Sequence, residues 1–282
     1  MEKLTDAFLL ISKPYGITSR KFLNEIRNLV NEKRIGHSGT LDPMATGLLF
    51  VALGNFTRLL PYVSFDTKEY FIEIVFGIET DTWDITGKVI KEQKVSLSEN
   101  DILKILPKFV GEINQKIPFF SAKKWNGIEF YKLARKGTFI EAFKKVKIYG
   151  IEYCGFHNNR LLLRVNCESG AYMRSLAYEL GLALEVSATL SAITRTKIGP
   201  FSIKDATTLG HLKRGDFSRG IVSPQSALGI PALTLQNGEN FLKGNAHILD
   251  KVIVIDERYG VIGIGIVKDN KVQPKRVFPW KS

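Results

Sequence analysis

Cysteine is nearly absent: 282 residues hold two, Cys154 and Cys167. Two cysteines cannot staple a disulfide scaffold, and without a Cys-x-x-Cys pair they do not read as a zinc site. The four histidines, at 37, 157, 211 and 247, lack metal-ligand spacing. No apolar run approaches the ~18 residues that span a bilayer, and Ala7 to Ile11 is too short for the centre of a signal peptide. These absences point to a reducing, cytoplasmic setting without membrane insertion. Also missing are a Gly-x-x-x-x-Gly-Lys-[Ser/Thr] phosphate loop, a Gly-x-Ser-x-Gly elbow, internal repeats and Gly/Ser linkers. The glycines at 260, 263 and 265 open no helix, so they make no dinucleotide fingerprint. An enzyme with this inventory is expected to use one carboxylate, with no metal and no cofactor.

Acid is the scarcer charge. Against 40 Lys+Arg stand 28 Asp+Glu, a net charge of +12, and a field of that sign gathers polyanions. Hydrophobic residues at 44% and charged residues at 24% suit a globular chain, and the length suits about two domains.

Strand-like and helix-like segments alternate, so the class is mixed α and β. After Thr18-Ser19, Phe22, Leu23, Ile26, Leu29 and Val30 recur at helical spacing. From Glu69 to Gly77 the period is two, with Tyr70, Ile72, Ile74 and Phe76 on one face. Ser98 and Asp101 predict a capping box for a helix through Leu106, stopped by Pro107. Leu161, Leu163, Val165 and Cys167 alternate, and Ser169-Gly170 turns into a helix with Met173, Leu176, Ala177 and Leu180 facing a core. From about Gly229 short β-rich runs, Lys251 to Ile255 and Tyr259 to Val267, predict a small all-β module with a thin core that docks on the larger domain.

Two segments concentrate chemistry. In Gly36-His37-Ser38-Gly39-Thr40-Leu41-Asp42-Pro43-Met44-Ala45-Thr46-Gly47-Leu48-Leu49, glycines and Pro43 fix the backbone around one acid. By itself Asp42-Pro43 reads more plainly as a turn or cap, and His37 as a loop hydrogen-bonder. Between Ser121 and Lys147 eight basic residues face two acids, with Trp125, Phe130, Tyr131, Phe139 and Phe143 interleaved. Cations for phosphates beside rings for unpaired bases is the composition of an RNA-binding surface; a solvated helix face with its own core aromatics is the plainer reading.

Gly36-His37-Ser38-Gly39-Thr40-Leu41-Asp42-Pro43-x-Ala45-x-Gly47-x-Leu49 resembles the catalytic motif of the bacterial tRNA pseudouridine(55) synthase family. Lys13-Pro14-x-Gly16-x-Thr18-Ser19 is similar to the family's N-terminal segment, Lys68-x-Tyr70 to its tyrosine motif, and Gly77-x-x-Thr80-Asp81-Thr82-x-Asp84-x-x-Gly87 follows in order. The segment from Pro118 to Gly137 resembles the insertion that grips the T arm. Cys167-x-x-Gly170-x-Tyr172-x-Arg174-Ser175-Leu176 resembles the arginine motif, and Arg195-Thr196-x-x-Gly199-Pro200-Phe201 the segment after it. Two departures stand out: Ala171 where threonine is expected, and Glu168-Ser169 where bacterial members often carry a basic residue.

The resemblance implies an α+β fold: a mixed, largely antiparallel catalytic sheet over residues 1–228, with an RNA-gripping insertion at about 112–150. A small β-barrel module of the PUA kind follows at 229–282. It implies that Asp42, Tyr70 and Arg174 are catalytic, with Arg174 paired to Asp42 and Tyr70 under the uracil ring. Lys13, His37, Lys68, Lys123, Lys124, Arg135 and Tyr172 are implied to contact RNA, His37 filling the space the flipped base vacates. The implied activity is isomerisation of uridine 55 in the tRNA T arm, by a monomer needing no protein partner and no cofactor, with tRNA folding assistance as a secondary role. A guide-RNA-dependent synthase and a non-catalytic RNA-binding protein are the alternatives.

Overall fold

Strand is the commonest regular structure among the described residues, and alternation of apolar and polar residues marks several of the strands. The computed structural model describes residues 6–63, 65–230, 232–235, 251–256, 260–268 and 271–278. In chain order, β1 (Phe8–Lys13) leads to α1 (Ser19–Val30), β2 (Ile35–Ser38), β3 (Thr46–Leu53), β4 (Thr67–Phe76) and a hairpin of β5 (Ile78–Thr80) and β6 (Val89–Glu92). Next come α2 (Glu99–Ile105), β7 (Gly111–Lys116), the hairpin of β8 (Lys124–Trp125) and β9 (Ile128–Glu129), and α3 (Phe130–Ala134). β10 (Phe143–His157), β11 (Arg160–Glu168), α4 (Met173–Ala183), β12 (Ala188–Ile198) and β13 (Phe201–Ser202) follow. After α5 (Leu209–Lys213), β14 (Ile221–Val222) and α6 (Pro224–Leu228) come β15 (Ala232–Leu235), β16 (Val252–Asp256), β17 (Gly260–Lys268) and β18 (Lys271–Val277).

The large sheet runs β14-β1-β3-β12-β4-β11-β10-β7, with β13 beside β12 and β2 beside β3. It is the mixed, largely antiparallel sheet expected: its parallel seam joins β3 to β12, setting Thr46 opposite Thr194 and Gly47 opposite Arg195. That seam brings the Asp42 loop against the strand carrying Arg195. Tyr70, Ile72, Ile74 and Phe76 share a core with Met173, Leu176, Ala177 and Leu180 of α4, as the alternation requires. α1 begins where the Thr18 hydroxyl accepts from the Lys21 N–H and buries Phe22, Leu23, Ile26 and Val30 against Leu9, Ile11, Leu49 and Val51.

The Ser98–Asp101 capping box forms. Pro107 does not stop the chain's helical course there but enters a 3-10 turn, Leu106–Phe109, because a proline in a first turn gives up no needed N–H. The stretch of about 112–150 implied as an insertion is divided: Gly111–Lys116 and the start of β10 belong to the sheet, since Val146 and Ile148 alternate into the core. The part that leaves the sheet is therefore 117–142. At the C-terminus the order is β15-β16-β17-β18, with β15 parallel to β16. The barrel implied for this module is corrected to an open sheet among the described residues. Its end strands β15 and β18 lie at opposite edges and do not pair. Tyr259, the expected start of the second run, lies outside the described residues, as do Glu257-Arg258 before it and Asp269-Asn270 after it. The sheet docks by sending Ile264 and Phe278 into a core with Phe8, Phe56, Val222 and Ala227. Among the described residues no helix is long and apolar enough to cross a membrane.

Candidate active site

The loop between β2 and β3 is pinned before it presents any chemistry. Ser19 in the first turn of α1 donates from its hydroxyl to the Leu41 carbonyl at 2.9 Å and accepts from the Leu41 N–H at 3.0 Å. The Gly16 N–H donates to the Pro43 carbonyl at 2.8 Å, and the Ala45 N–H to that of Asp42 at 3.0 Å. Lys13, fully buried at the end of β1, donates from Nζ to the carbonyls of Pro14 and Ile17, both at 2.8 Å, and of Pro43 at 3.3 Å. Lys13, for which an RNA contact is implied, is here an ammonium held by three carbonyls, a clamp on the Asp42 loop.

The loop delivers Asp42 to Arg174 in the first turn of α4. Arg174 Nη2 stands 2.9 Å from Asp42 Oδ2, with the Asp42 side chain 45% exposed and that of Arg174 6% exposed. The buried guanidinium also donates to the carbonyls of Thr82 at 3.2 Å and Phe120 at 3.1 Å, and Nε lies 3.7 Å from Asp84 Oδ2. Asp84 is itself held by the Thr86 N–H at 3.0 Å and the Thr82 hydroxyl at 3.1 Å. A buried charge left without its partner destabilises by several kcal/mol, roughly 3–5, so this set of oxygens fixes where Arg174, and through it Asp42, can be. Trp83 adopts a left-handed backbone, φ 60°, and stacks on Tyr178 of α4 with centroids 4.3 Å apart. This contact ties the Thr82–Asp84 turn to the helix carrying Arg174.

A cavity of about 360 Å³ opens beside the pair, lined by Asp42, Arg174, Tyr70, Tyr172, Lys68 and Arg195 among others. Its size falls within the range of small-ligand sites. Burial pushes the Tyr70 phenol above its ordinary value, against an opposing effect of Arg195, so the ring is neutral at pH 7. Tyr172 is held at its backbone by Gln115, which accepts from its N–H at 3.0 Å and donates to its carbonyl at 3.2 Å. Burial likewise raises its phenol. Lys68 donates to the Ser169 hydroxyl at 2.6 Å, and burial, then the nearby Arg195, pushes its ammonium down to about 8.

The fold brings Asp42, Tyr70, Arg174, Lys68 and Tyr172 to one cavity, with Lys123 at its margin. His37, Lys124 and Arg135 lie outside that lining. His37 sits in β2 opposite Val51, with a buried Nδ1 that has no hydrogen-bond partner; burial and Arg195 lower its basicity. Lys124 and Arg135 are exposed on the segment 117–142, Arg135 with its guanidinium 5.5 Å from the Tyr131 ring centre. Sequence reasoning gave no role to Asp84 or Arg195. Both stand inside segments that carry the resemblance, and that was the available signal.

Residues 27–173 match the family model described as TruB family pseudouridylate synthase, N-terminal domain. The tRNA pseudouridine synthase B of Thermosipho melanesiensis is 36% identical over 248 residues, 87% of this chain and 82% of that protein. That of Caldanaerobacter subterraneus subsp. tengcongensis is 35% identical over 286 residues, 97% of this chain and 99% of that protein. Among solved structures, the crystal structure of a Cbf5-Nop10-Gar1 complex matches with a TM-score of 0.71 at 24% identity, covering 98% of this chain and 86% of that one. An H/ACA RNP bound to a substrate RNA containing 2′-deoxyuridine gives 0.68 at 23% identity, covering 97% and 85%. At such identities the likeness speaks to the fold.

Proposed function

The chain belongs to the TruB family of pseudouridylate synthases, and from that premise we propose that it converts uridine 55 in the T arm of tRNA to pseudouridine, with Asp42 as the essential group. The observation that carries this reading is the Asp42–Arg174 pair at 2.9 Å on the wall of a cavity that also holds Tyr70. The reaction breaks N1–C1′, turns the uracil, and joins C5 to C1′; the C5 proton leaves to solvent and N1 gains one. No electrons are exchanged with a second reactant, and no co-substrate is consumed. Asp42 acts either as a nucleophile on the sugar or the uracil, or as the base that takes the C2′ proton, and a deuterium isotope effect at C2′ identifies the last.

The target base leaves its stack to enter the cavity, at roughly a few kcal/mol, and Tyr70 stacks beneath it. A neutral phenol is a poor proton acceptor, so stacking comes before C5 deprotonation in its role. Lys123, Lys124 and Arg135 bind T-arm phosphates, which supplies affinity with little sequence discrimination. Opening the T arm around a bound protein also remodels it, so folding assistance is proposed as an activity independent of Asp42.

The test uses Asp42→Asn with a T-arm hairpin carrying 5-tritiated uridine. Tritium release is expected to vanish while hairpin binding persists; continued release would remove Asp42 from the mechanism. Turnover of the bare hairpin by the wild type, with no guide RNA, is expected too, and its absence would favour a guide-dependent enzyme.

A further inference from the structure

Besides Asp42 and Arg174 the cavity is lined by Lys68 and Arg195, two cations that enter no ion pair among the described residues. Lys68 and Arg195 are buried there, at 7% and 1% exposure. Arg195 donates from Nε to the Leu48 carbonyl at 2.8 Å and from Nη2 to that of Gly39 at 3.1 Å. A Cβ built on Gly39 would stand 3.2 Å from Lys68 Nζ and 3.5 Å from Arg195 Nη1. The missing side chain therefore leaves both cations facing one opening. Gly170 lines the same cavity, and a Cβ built on it would stand 2.5 Å from Nζ of Lys144 of β10.

Both glycines have left-handed backbones, φ 85° and 93°, which other residues adopt with strain. Among the described residues no ion pair within 4 Å engages Lys68, Lys144 or Arg195. The nearby acids are engaged elsewhere: Asp42 with Arg174, and Glu168 accepting from the Lys147 N–H. Cys167 stays a thiol, its basicity pushed up to about 12 by burial. The hydroxyl of Ser169, 2.6 Å from Lys68 Nζ, is thus the neutral companion of three cations. Such a hole in charge is filled by an oxyanion.

We propose that Lys68, Lys144 and Ser169, in the field of Arg195, form a phosphodiester-binding subsite that holds the phosphate adjoining the everted uridine. The inference rests on the proposed function and extends it from base to backbone. Cations on the exposed segment 117–142 meet phosphates whether or not the base has turned out. A phosphate that meets Lys68, buried in the cavity lining, enters together with its everted nucleoside. Contacts made there stabilise the everted state selectively, so they act on the rate more than on initial affinity.

The experiment uses T-arm hairpins with one neutral methylphosphonate linkage, placed 5′ or 3′ of the target uridine, and reads single-turnover rate and Kd. With wild-type protein, one of the two linkages is expected to slow turnover by roughly 10- to 100-fold, the size of a lost charge-assisted contact, with Kd nearly constant. In Lys144→Met, whose turnover on the all-phosphate hairpin is already slowed, the same linkage is expected to cost less than about threefold, because the partner is gone. If neither linkage slows the wild type, or the linkage slows both proteins equally, the subsite is wrong. The wild-type arm changes only the RNA, so it stands whether or not a variant folds. Failure of the functional reading looks different: the all-phosphate hairpin would then give no pseudouridine at all.

Discussion

At Arg174 one planar guanidinium meets the Asp42 carboxylate, the Thr82 and Phe120 carbonyls and, more distantly, Asp84. Lysine carries the same charge but only as a point at the end of a flexible stem, and it cannot reproduce that fork. Arg174→Lys is therefore expected to slow single-turnover pseudouridine formation by roughly 100-fold, the loss of about two oriented charge-assisted contacts, while hairpin affinity stays within about threefold. Filter binding beside rapid-quench kinetics reads both, and an affinity loss equal to the rate loss would make Arg174 an RNA ligand instead. The pairing of residues 42 and 174 was not legible from local pattern, because no periodicity encodes a contact across 132 positions; it entered through family resemblance. Lys13 and Lys68 were visible as residues but not as buried ones. Each continues the core-facing row of its strand, Leu9-Ile11-Lys13 on β1 and Lys68-Tyr70-Ile72 on β4, and alternation read strictly puts both cations inside. Arg195 hides better. Register shifts between Leu190 and Ala192 and between Arg195 and Lys197 break the period of β12, so its inward aim follows from two bulges that composition does not reveal.

Elements, by contrast, were largely legible, since α1, β4, β11 and α4 each repeat one period over several turns or pleats. What their patterns left unsaid is how they are fastened to each other. At the seam of β3 and β12, Gly47 has φ 98°, and a Cβ there would collide with the Arg195 backbone carbonyl. Gly47→Ala is expected to lower unfolding free energy by about 2 kcal/mol through strain and overpacking, measured by urea denaturation; an unchanged midpoint would mean the seam yields easily. The fastening of α4 to β7 is titratable. Glu179 accepts from the Lys116 N–H at 2.8 Å, and burial pushes its carboxyl up to about 7. A folded value above the unfolded one means that the folded state holds the proton more tightly. Glu179 thus contributes stability that is complete below about pH 4.5 and fades as pH rises through about 7. Glu179→Gln keeps an acceptor but cannot ionise, so its Tm relative to wild type is expected to rise between pH 5 and pH 8. Parallel melting curves across that range would assign the titration to another group.

Across the whole molecule the +12 charge is not spread evenly in effect. On the sheet face that carries Glu69 and Glu73, cations are neutralised in pairs: Arg160 with Glu73, Arg164 with Glu69 and Glu152, Lys197 with Glu69. Around the cavity margin and the segment 117–142, Lys123, Lys124, Arg135 and Lys136 enter no ion pair among the described residues, although Lys132 binds Glu129 there and Lys116 binds Glu141. The unpaired positive field therefore borders the cavity, with Trp125 and Phe139 exposed among the cations at 45% and 57%. An asymmetric field of this kind orients a polyanion before contact and releases its counterions on binding. Charge reversal at Lys123, Lys124 and Arg135 together removes three such contacts. With a slope of roughly −0.7 per phosphate on unpaired strands, the plot of log affinity against log salt is expected to flatten by about 2. The loss of affinity is largest at low salt and shrinks as ionic strength rises and screening shortens the reach of every charge. Titration of a labelled T-arm hairpin between 50 mM and 200 mM salt, the span over which several phosphate contacts change affinity by roughly orders of magnitude, reads the slope directly. An unaltered slope would mean these cations face solvent in the complex and the RNA lies along another surface.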